Sequence, residues 1–188
     1  MKIRRVIIME ANFENICEYT KTNIYEMHKN HKSVFRIFLL AFFIFEGISV
    51  VVQVFDNARL FDTSVRLLSI IAAVLLISLG VFLYLVIPRL ETKKTLKRDN
   101  ELYHTTVKTN IKFYSEYIIG LNCQTNGETK TEYSQIVKIK ETNHLFLLYL
   151  RANLVILVDK NGFTKGNAEE FRQYISQRVP NAKMKLKK

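Results

Sequence analysis

The side chain with the most chemical consequence is Glu46, a lone acid inside an apolar run that spans residues 34–55. A carboxyl in such a setting is able to relay a proton, hold an ion or tie two helices together. At the centre of a bilayer it costs about 2.5–3.5 kcal/mol on insertion scales, so it needs a compensating role. A second apolar run, 67–87, carries no charge and offers Ser78 at a matching depth on an antiparallel helix. No second acid, lysine or arginine lies deep in either run, and two spans cannot enclose a pathway without oligomerising. The expected role of Glu46 is therefore a structural contact, to Ser78 or to another copy, and not transport.

The remaining candidates point away from catalysis. His28 and His31 share one helix face by spacing, but no carboxylate or third histidine stands at ligand spacing near them, so no metal site is expected. His104 and His144 are solitary. Glu169 and Glu170 fall in the first turn of a helix, where capping and the helix dipole account for them. No glycine-rich phosphate loop and no nucleophile–base set is present. The expectation is a non-enzymatic chain with no catalytic residues and no cofactor. Cys17 and Cys123 form no CxxC pair; both fall on the side of the chain expected to be reducing, where a disulfide is disfavoured. The basic cluster Lys93, Lys94, Lys97 and Arg98 abuts the second run. Near an anionic leaflet each such charge contributes about 1 kcal/mol, and the same residues also set orientation.

The elements that must position these groups start with the two runs. Each is long enough to cross the ~30 Å hydrocarbon core as a helix, which takes about 20 residues. The formal net charge of +11 would suggest nucleic acid on a soluble protein. Here it is better explained by cationic residues gathering on the cytoplasmic side of short spans. Lys21, Lys29, Lys32 and Arg36 stand around the start of the first run. Arg89, Lys93, Lys94, Lys97 and Arg98 follow the second, while the link at 56–66 holds only Arg59 and Arg66. Nine against two places both termini in the cytoplasm, with the lipid bilayer as partner and no nucleic acid. The short apolar stretch at 6–9 is no signal peptide, so the first span is expected to act as its own insertion signal. Gly47 and Gly80 offer small surfaces for close helix approach, outside any GxxxG motif.

The flanks read as one small domain's worth of chain. Residues 2–9, with Ile3, Val6, Ile7 and Ile8, suit a strand that pairs with the C-terminal sheet. Asn12 is placed to cap a helix from Phe13 to about Asn30, with Phe13, Ile16, Cys17, Thr20, Ile24 and Met27 as its apolar stripe. Pro88 predicts a kink or break near Ile87, followed by a short charged helix or connector over 89–104. From Thr105 strands dominate: Val107 to Phe113, then 117–124. Asn126-Gly127 predicts a type I′ hairpin, leading into 131–139 with Tyr133, Gln135, Val137 and Ile139 on one face. Two denser strands at 144–150 and 154–160 are joined by a tight turn at 151–153. Asn167 and Glu170 form a capping-box-like start for a helix that turns Phe171, Tyr174, Ile175 and Val179 inward. Pro180 ends it, and 181–188 reads as a frayed basic tail.

Ile111-Lys112-Phe113-Tyr114 followed by 133–142, YSQIVKIKET, resembles the YcxB-like family. So do Phe146 to Leu150, Ile156 to Lys160, Gly162-Phe163 and Glu170-Phe171. The resemblance implies a bacterial protein with a short N-terminal segment, two spans and a C-terminal cytoplasmic domain; it supplies no catalytic residues. Members often carry proline just before the lysine matching Lys160, where this chain has Asp159. The expected fold is an α+β membrane protein. A two-helix transmembrane hairpin is joined to a cytosolic antiparallel sheet or barrel with a C-terminal helix, in the manner of a pleckstrin-homology-like domain. Residues 1–33 form the N-terminal part, 34–88 the hairpin, 89–104 the basic connector and 105–188 the cytosolic domain. The expected function is a cell-membrane protein that presents an interaction or regulatory domain to a protein partner or to a second copy. Sensing of anionic lipid or envelope stress, and an immunity-type role, are the alternatives.

Overall fold

The computed structural model describes residues 10–31, 33–57, 61–151 and 154–186. The strand expected at 2–9 lies outside these residues. The chain divides into an apolar unit, 28–95, and an α+β unit built from 1–27 and 96–188.

In the apolar unit, α2 (Val34–Asp56) starts where the Ser33 hydroxyl accepts a hydrogen bond from the Arg36 backbone N–H. The second helix, α3 (Thr63–Tyr103), does not stop at Pro88 but continues to Tyr103. The expected break and separate connector are thus replaced by one helix of 41 residues. Proline removes one backbone donor; one turn later the Thr92 hydroxyl donates to the Pro88 carbonyl at 2.7 Å. Arg89, Leu90, Glu91, Lys93 and Lys94, all good helix formers, carry the helix on past the proline.

The α+β unit begins with β1 (Phe13–Glu18), which corrects the helix expected from Phe13. Phe13, Asn15 and Cys17 are buried in alternation, a strand period that coexists with the three-and-four spacing. Pairing on both edges decides between them: β1 lies between β2 (Lys108–Phe113) and β8 (Phe163–Lys165). The helix α1 (Lys21–Asn30) starts later, and the Thr20 hydroxyl, not Asn12, accepts from the Asn23 N–H at 3.2 Å.

Two sheets follow. One has the order β4-β3-β2-β1-β8, with β3 at Tyr117–Asn122 and β4 at Glu128–Glu132. The other has the order β7-β6-β5-β9, with β5 at Ile136–Glu141, β6 at Leu145–Leu150, β7 at Val155–Asp159 and β9 at Lys183–Lys185. The continuous strand expected across 131–139 is broken by a 3₁₀ turn, Tyr133–Gln135, which carries the chain from the first sheet to the second. Tyr133, Ile136 and Ile139 are buried while Val137 is 43% exposed, so the expected one-face alternation does not hold.

The β3–β4 connection is also longer than a two-residue turn. The Asn122 side chain accepts from the Gln124 and Thr125 N–H groups, and the Asn126 N–H bonds back to the Asn122 carbonyl. Of the Asn-Gly pair only Asn126 takes a left-handed conformation (φ 55°). The local asparagine turn therefore outcompetes the type I′ geometry.

Helix α4 (Ala168–Arg178) is capped by Asn167, whose side chain accepts from the Glu170 N–H. It inserts Phe171 among Phe13, Phe113, Phe146 and Phe163, with ring centroids 4.7–5.6 Å from its own. After Pro180 the expected frayed tail is instead β9 (Lys183–Lys185), parallel to β5, with Met184 beside Ile139. Met184 packs against the core, which is what draws the basic segment into the sheet.

Candidate functional site

Within the apolar unit, α2 and α3 approach closely at their two glycines. A β-carbon on Gly80 would lie 2.6 Å from Phe43 Cβ, and one on Gly47 would lie 2.8 Å from Ile77 Cγ1. Neither glycine has a motif around it, yet both are contact points between antiparallel helices. Glu46 is half-buried beside Gly47, while Ser78 is exposed on α3. The structure does not bring these two together: among the described residues no hydrogen bond joins them.

At the start of α2, Arg36 is buried. Its Nη2 donates to the carbonyls of His28 and His31, and its guanidinium lies 5.8 Å from the Tyr84 ring centroid. A cation here satisfies carbonyls left open at the C-terminal end of α1. His28 sits 3.5 Å from Glu91 and 3.2 Å from the Thr95 hydroxyl. Burial holds its imidazole below the usual range, against the pull of Glu91. Among the described residues no cluster of three potential metal ligands is found.

Polar side chains of the α+β unit make three ties between its elements. Asn15, fully buried on β1, exchanges two hydrogen bonds with the backbone of Asp159 on β7. Its Nδ2 donates to the Asp159 carbonyl at 2.7 Å, and its Oδ1 accepts from the Asp159 N–H at 3.1 Å. An amide side chain thus acts as a rung between the two sheets. Asn23 of α1 donates to Asp159 Oδ2 at 3.1 Å and to the Glu18 carbonyl at 2.9 Å.

Glu141, at the end of β5, is buried and accepts from Lys160 Nζ at 2.6 Å. The same carboxylate takes Nη2 and Nε of Arg172 at 2.7 and 3.0 Å, which locks α4 to the second sheet. Glu26 of α1 accepts from the Thr142 hydroxyl and meets the His144 ring at 2.7 Å. Burial acts to raise the Glu26 carboxyl, but the Thr142 and His144 hydrogen bonds outweigh it and hold it below the usual range. In a fourth cluster the Tyr133 and Tyr174 hydroxyls lie 2.9 Å apart, and each is within hydrogen-bond distance of the Tyr114 carbonyl, at 2.8 and 2.9 Å; one of them donates to that carbonyl and the other is free to donate to its neighbouring hydroxyl. Burial pushes the Tyr133 phenol upward.

These ionisable groups are committed to holding elements together. One of several concave features of the unit is a cleft of about 280 Å³ between the first sheet and the β6–β7 hairpin. Ile111, Ile118, Leu150 and Leu157 line it together with Thr109, Thr131 and Tyr19. It lies toward the Thr109 end of β2, whereas α4 fills the Phe113 end.

The two cysteines are far from alike. Cys17 is buried, and desolvation pushes its thiol up to about 12; Cys123 is exposed. Lys93, Lys94, Lys97 and Arg98 are all exposed on α3. Lys97 pairs with Glu101 at 3.7 Å and Arg98 with Asp99 at 3.1 Å.

Two long apolar helices packed at paired glycines, together with an α+β unit of two sheets around one aromatic core, define the class of architecture. Residues 113–175 match the family model of the YcxB-like protein, so this stretch, from the end of β2 into α4, is a YcxB-like domain. No curated protein matches the chain.

Proposed function

We propose that this chain is a two-span membrane protein whose hairpin crosses the cell membrane and whose α+β unit is a cytoplasmic binding module, not an enzyme. One observation carries the membrane part. Only 6% of the most apolar stretch of α2 and 11% of that of α3 is buried. The core helix of a soluble protein would be largely covered, whereas these helices expose Phe38, Phe45, Leu75 and Phe82. So large an exposed apolar surface supports contact with hydrocarbon.

Strand pairing supports the same-side placement of both ends. β1 precedes the hairpin and β2 follows it, yet the two are hydrogen-bonded neighbours. A chain that leaves this sheet must return to it, which requires an even number of crossings. The basic-residue asymmetry then favours the cytoplasm. The binding reading rests on the cleft, whose lining is apolar and hydroxylic, and on buried carboxylates that are all engaged in structural ties. The two-sheet unit with its C-terminal helix is read as pleckstrin-homology-like.

Carbonate extraction followed by cysteine labelling tests the reading. In a background with Cys17 and Cys123 replaced by serine, Thr63→Cys should react with an impermeant maleimide added to intact cells. Lys165→Cys should react only after lysis. The opposite pattern overturns the orientation, and release by carbonate overturns membrane insertion. The exposed basic cluster favours a second reading, contact with anionic headgroups. Neutralising Lys93 and Lys94 should then weaken binding of the chain's soluble face to anionic vesicles in proportion to the charge removed.

A further inference from the structure

Three polar side chains on α2, Glu46, Ser49 and Gln53, recur at intervals of three and four. At about 100° per residue they fall within roughly 60° of one another on the helix. The face of α2 that meets α3 is a different one, carrying Phe43 and Gly47. The polar stripe is thus left beside the hairpin's own interface: Glu46 and Ser49 are half-buried and Gln53 is exposed. Gln53 Nε2 reaches only back along the helix, to Ser49 Oγ at 3.1 Å. Glu46 has no hydrogen bond or ion pair among the described residues.

Resting on the membrane reading above, we propose that this stripe is the contact face of a homodimer formed within the bilayer. Lipid tails cannot hydrogen-bond a carboxyl, a hydroxyl or an amide, so a lipid-facing stripe of all three is unfavourable. The chemistry selects a second copy as the covering partner. Two chains of the same topology present α2 helices in parallel, which a twofold axis along the membrane normal brings face to face. Glu46 then meets Glu46, Ser49 meets Ser49 and Gln53 meets Gln53. A carboxylic acid, a hydroxyl and a primary amide each both donate and accept, so every pair is self-complementary. The three-four spacing is that of a helix–helix seam, and polar side chains on such seams drive association in membranes.

The test is disulfide crosslinking of the full chain in native membranes, in the background lacking Cys17 and Cys123. Ser49→Cys and Gln53→Cys should each give a covalent dimer on mild oxidation. Ile48→Cys, one residue away but on the far side of α2, should not. Adding Glu46→Leu to the Gln53→Cys chain should cut the crosslinked fraction several-fold, and Glu46→Gln, which keeps the donor and acceptor, should restore it. Equal crosslinking at Ile48, no dimer from carbonate-resistant membranes, or an adduct only with a chain of different mass would each overturn the dimer while leaving the membrane reading intact. Release of the chain by carbonate would overturn the membrane reading and the dimer with it.

Discussion

Replacing Asn15 by alanine should be among the most costly single changes in the α+β unit. Asn15 is fully buried, and both polar ends of its amide are used by the backbone of Asp159. Alanine would leave the Asp159 N–H without this partner, at about 1–3 kcal/mol, and the Asp159 carbonyl would keep only the Gly162 N–H at 3.1 Å, losing the shorter of its two bonds for about 1 kcal/mol more. Some of this is recovered if water enters the gap, so a loss of about 2–4 kcal/mol is expected. Asn15→Asp should be at least as damaging, because the donor to the Asp159 carbonyl is lost and a charge is buried beside it. Asn23→Ala should cost less, about 1–2 kcal/mol, since one of its two bonds is to a side chain that retains other partners. The chain has no tryptophan, and eight of its nine tyrosines lie in the α+β unit. Near-ultraviolet circular dichroism of the intact chain in detergent therefore reports on that unit. At about 4 °C per kcal/mol for a domain of this size, Asn15→Ala should lower its melting temperature by about 8–16 °C. A melting temperature unchanged by Asn15→Ala would refute the rung between sheets as a source of stability.

Gly80→Ala should loosen the hairpin by about 1–3 kcal/mol, because the new methyl would meet Phe43 Cβ at 2.6 Å, next to the backbone. Gly47→Ala should cost less, since its nearest contact, Ile77 Cγ1 at 2.8 Å, is longer and one bond further from the backbone than Phe43 Cβ; loss of helicity in a titration with sodium dodecyl sulfate ranks the two. Glu26, whose carboxyl is held low by Thr142 and His144, should stabilise the fold fully above the ordinary carboxylate range. That contribution should fade as the pH falls through its lowered value, because the unfolded chain takes up the proton first; Glu26→Gln should flatten the acid limb of the stability curve. Cys123 should be alkylated in the folded chain while Cys17 is not, so mass spectrometry should find one adduct before denaturation and two after.

Much of this architecture was legible in the sequence where one physical signal dominated. The two apolar runs declare α2 and α3, and the Asn167–Glu170 spacing marks the start of α4 to the residue. Several of the failures share a cause: they required knowledge of a partner distant in the chain. Phe13 to Glu18 reads as helix until β2 and β8 supply edges that make it a strand. The basic tail reads as frayed until Met184 finds Ile139. Asp159 stands where the resembled family often has proline, and its meaning emerges only in the fold. Its N–H donates to Asn15, which a proline could not do. The contacts of Gly47 and Gly80 were visible as small residues but not as a pair, because matching depth depends on the register of two helices. Glu46 stood out as costly, yet the companionship of Ser49 and Gln53 is seen only when the α3-facing side of α2 is known.

On the proposed membrane reading, the pairing of β1 with β2 constrains any rearrangement of the two apolar helices. All of the hairpin lies between two strands that are adjacent in one sheet, so the hairpin is in effect the β1–β2 loop. Deleting the apolar stretch of one helix alone would leave a single crossing. β1 would then stand on one side of the membrane and β2 on the other, and β1 could not fill its place between β2 and β8. Phe13, Asn15 and Cys17 would be lost from the core together. Replacing all of residues 28–95 by a flexible linker has no such effect. Met27 and Leu96, which flank the cut, both pack against the core of the α+β unit, so a linker of about a dozen residues, roughly 20 Å in mean reach, should suffice to join them. The expected ranking is therefore opposite to one based on the amount of protein removed. The larger deletion should yield a soluble, cooperatively melting domain with native tyrosine dichroism, and either single-span deletion should yield none. A single-span deletion that retains the native dichroism would show that β1 is dispensable to the unit and would refute the argument.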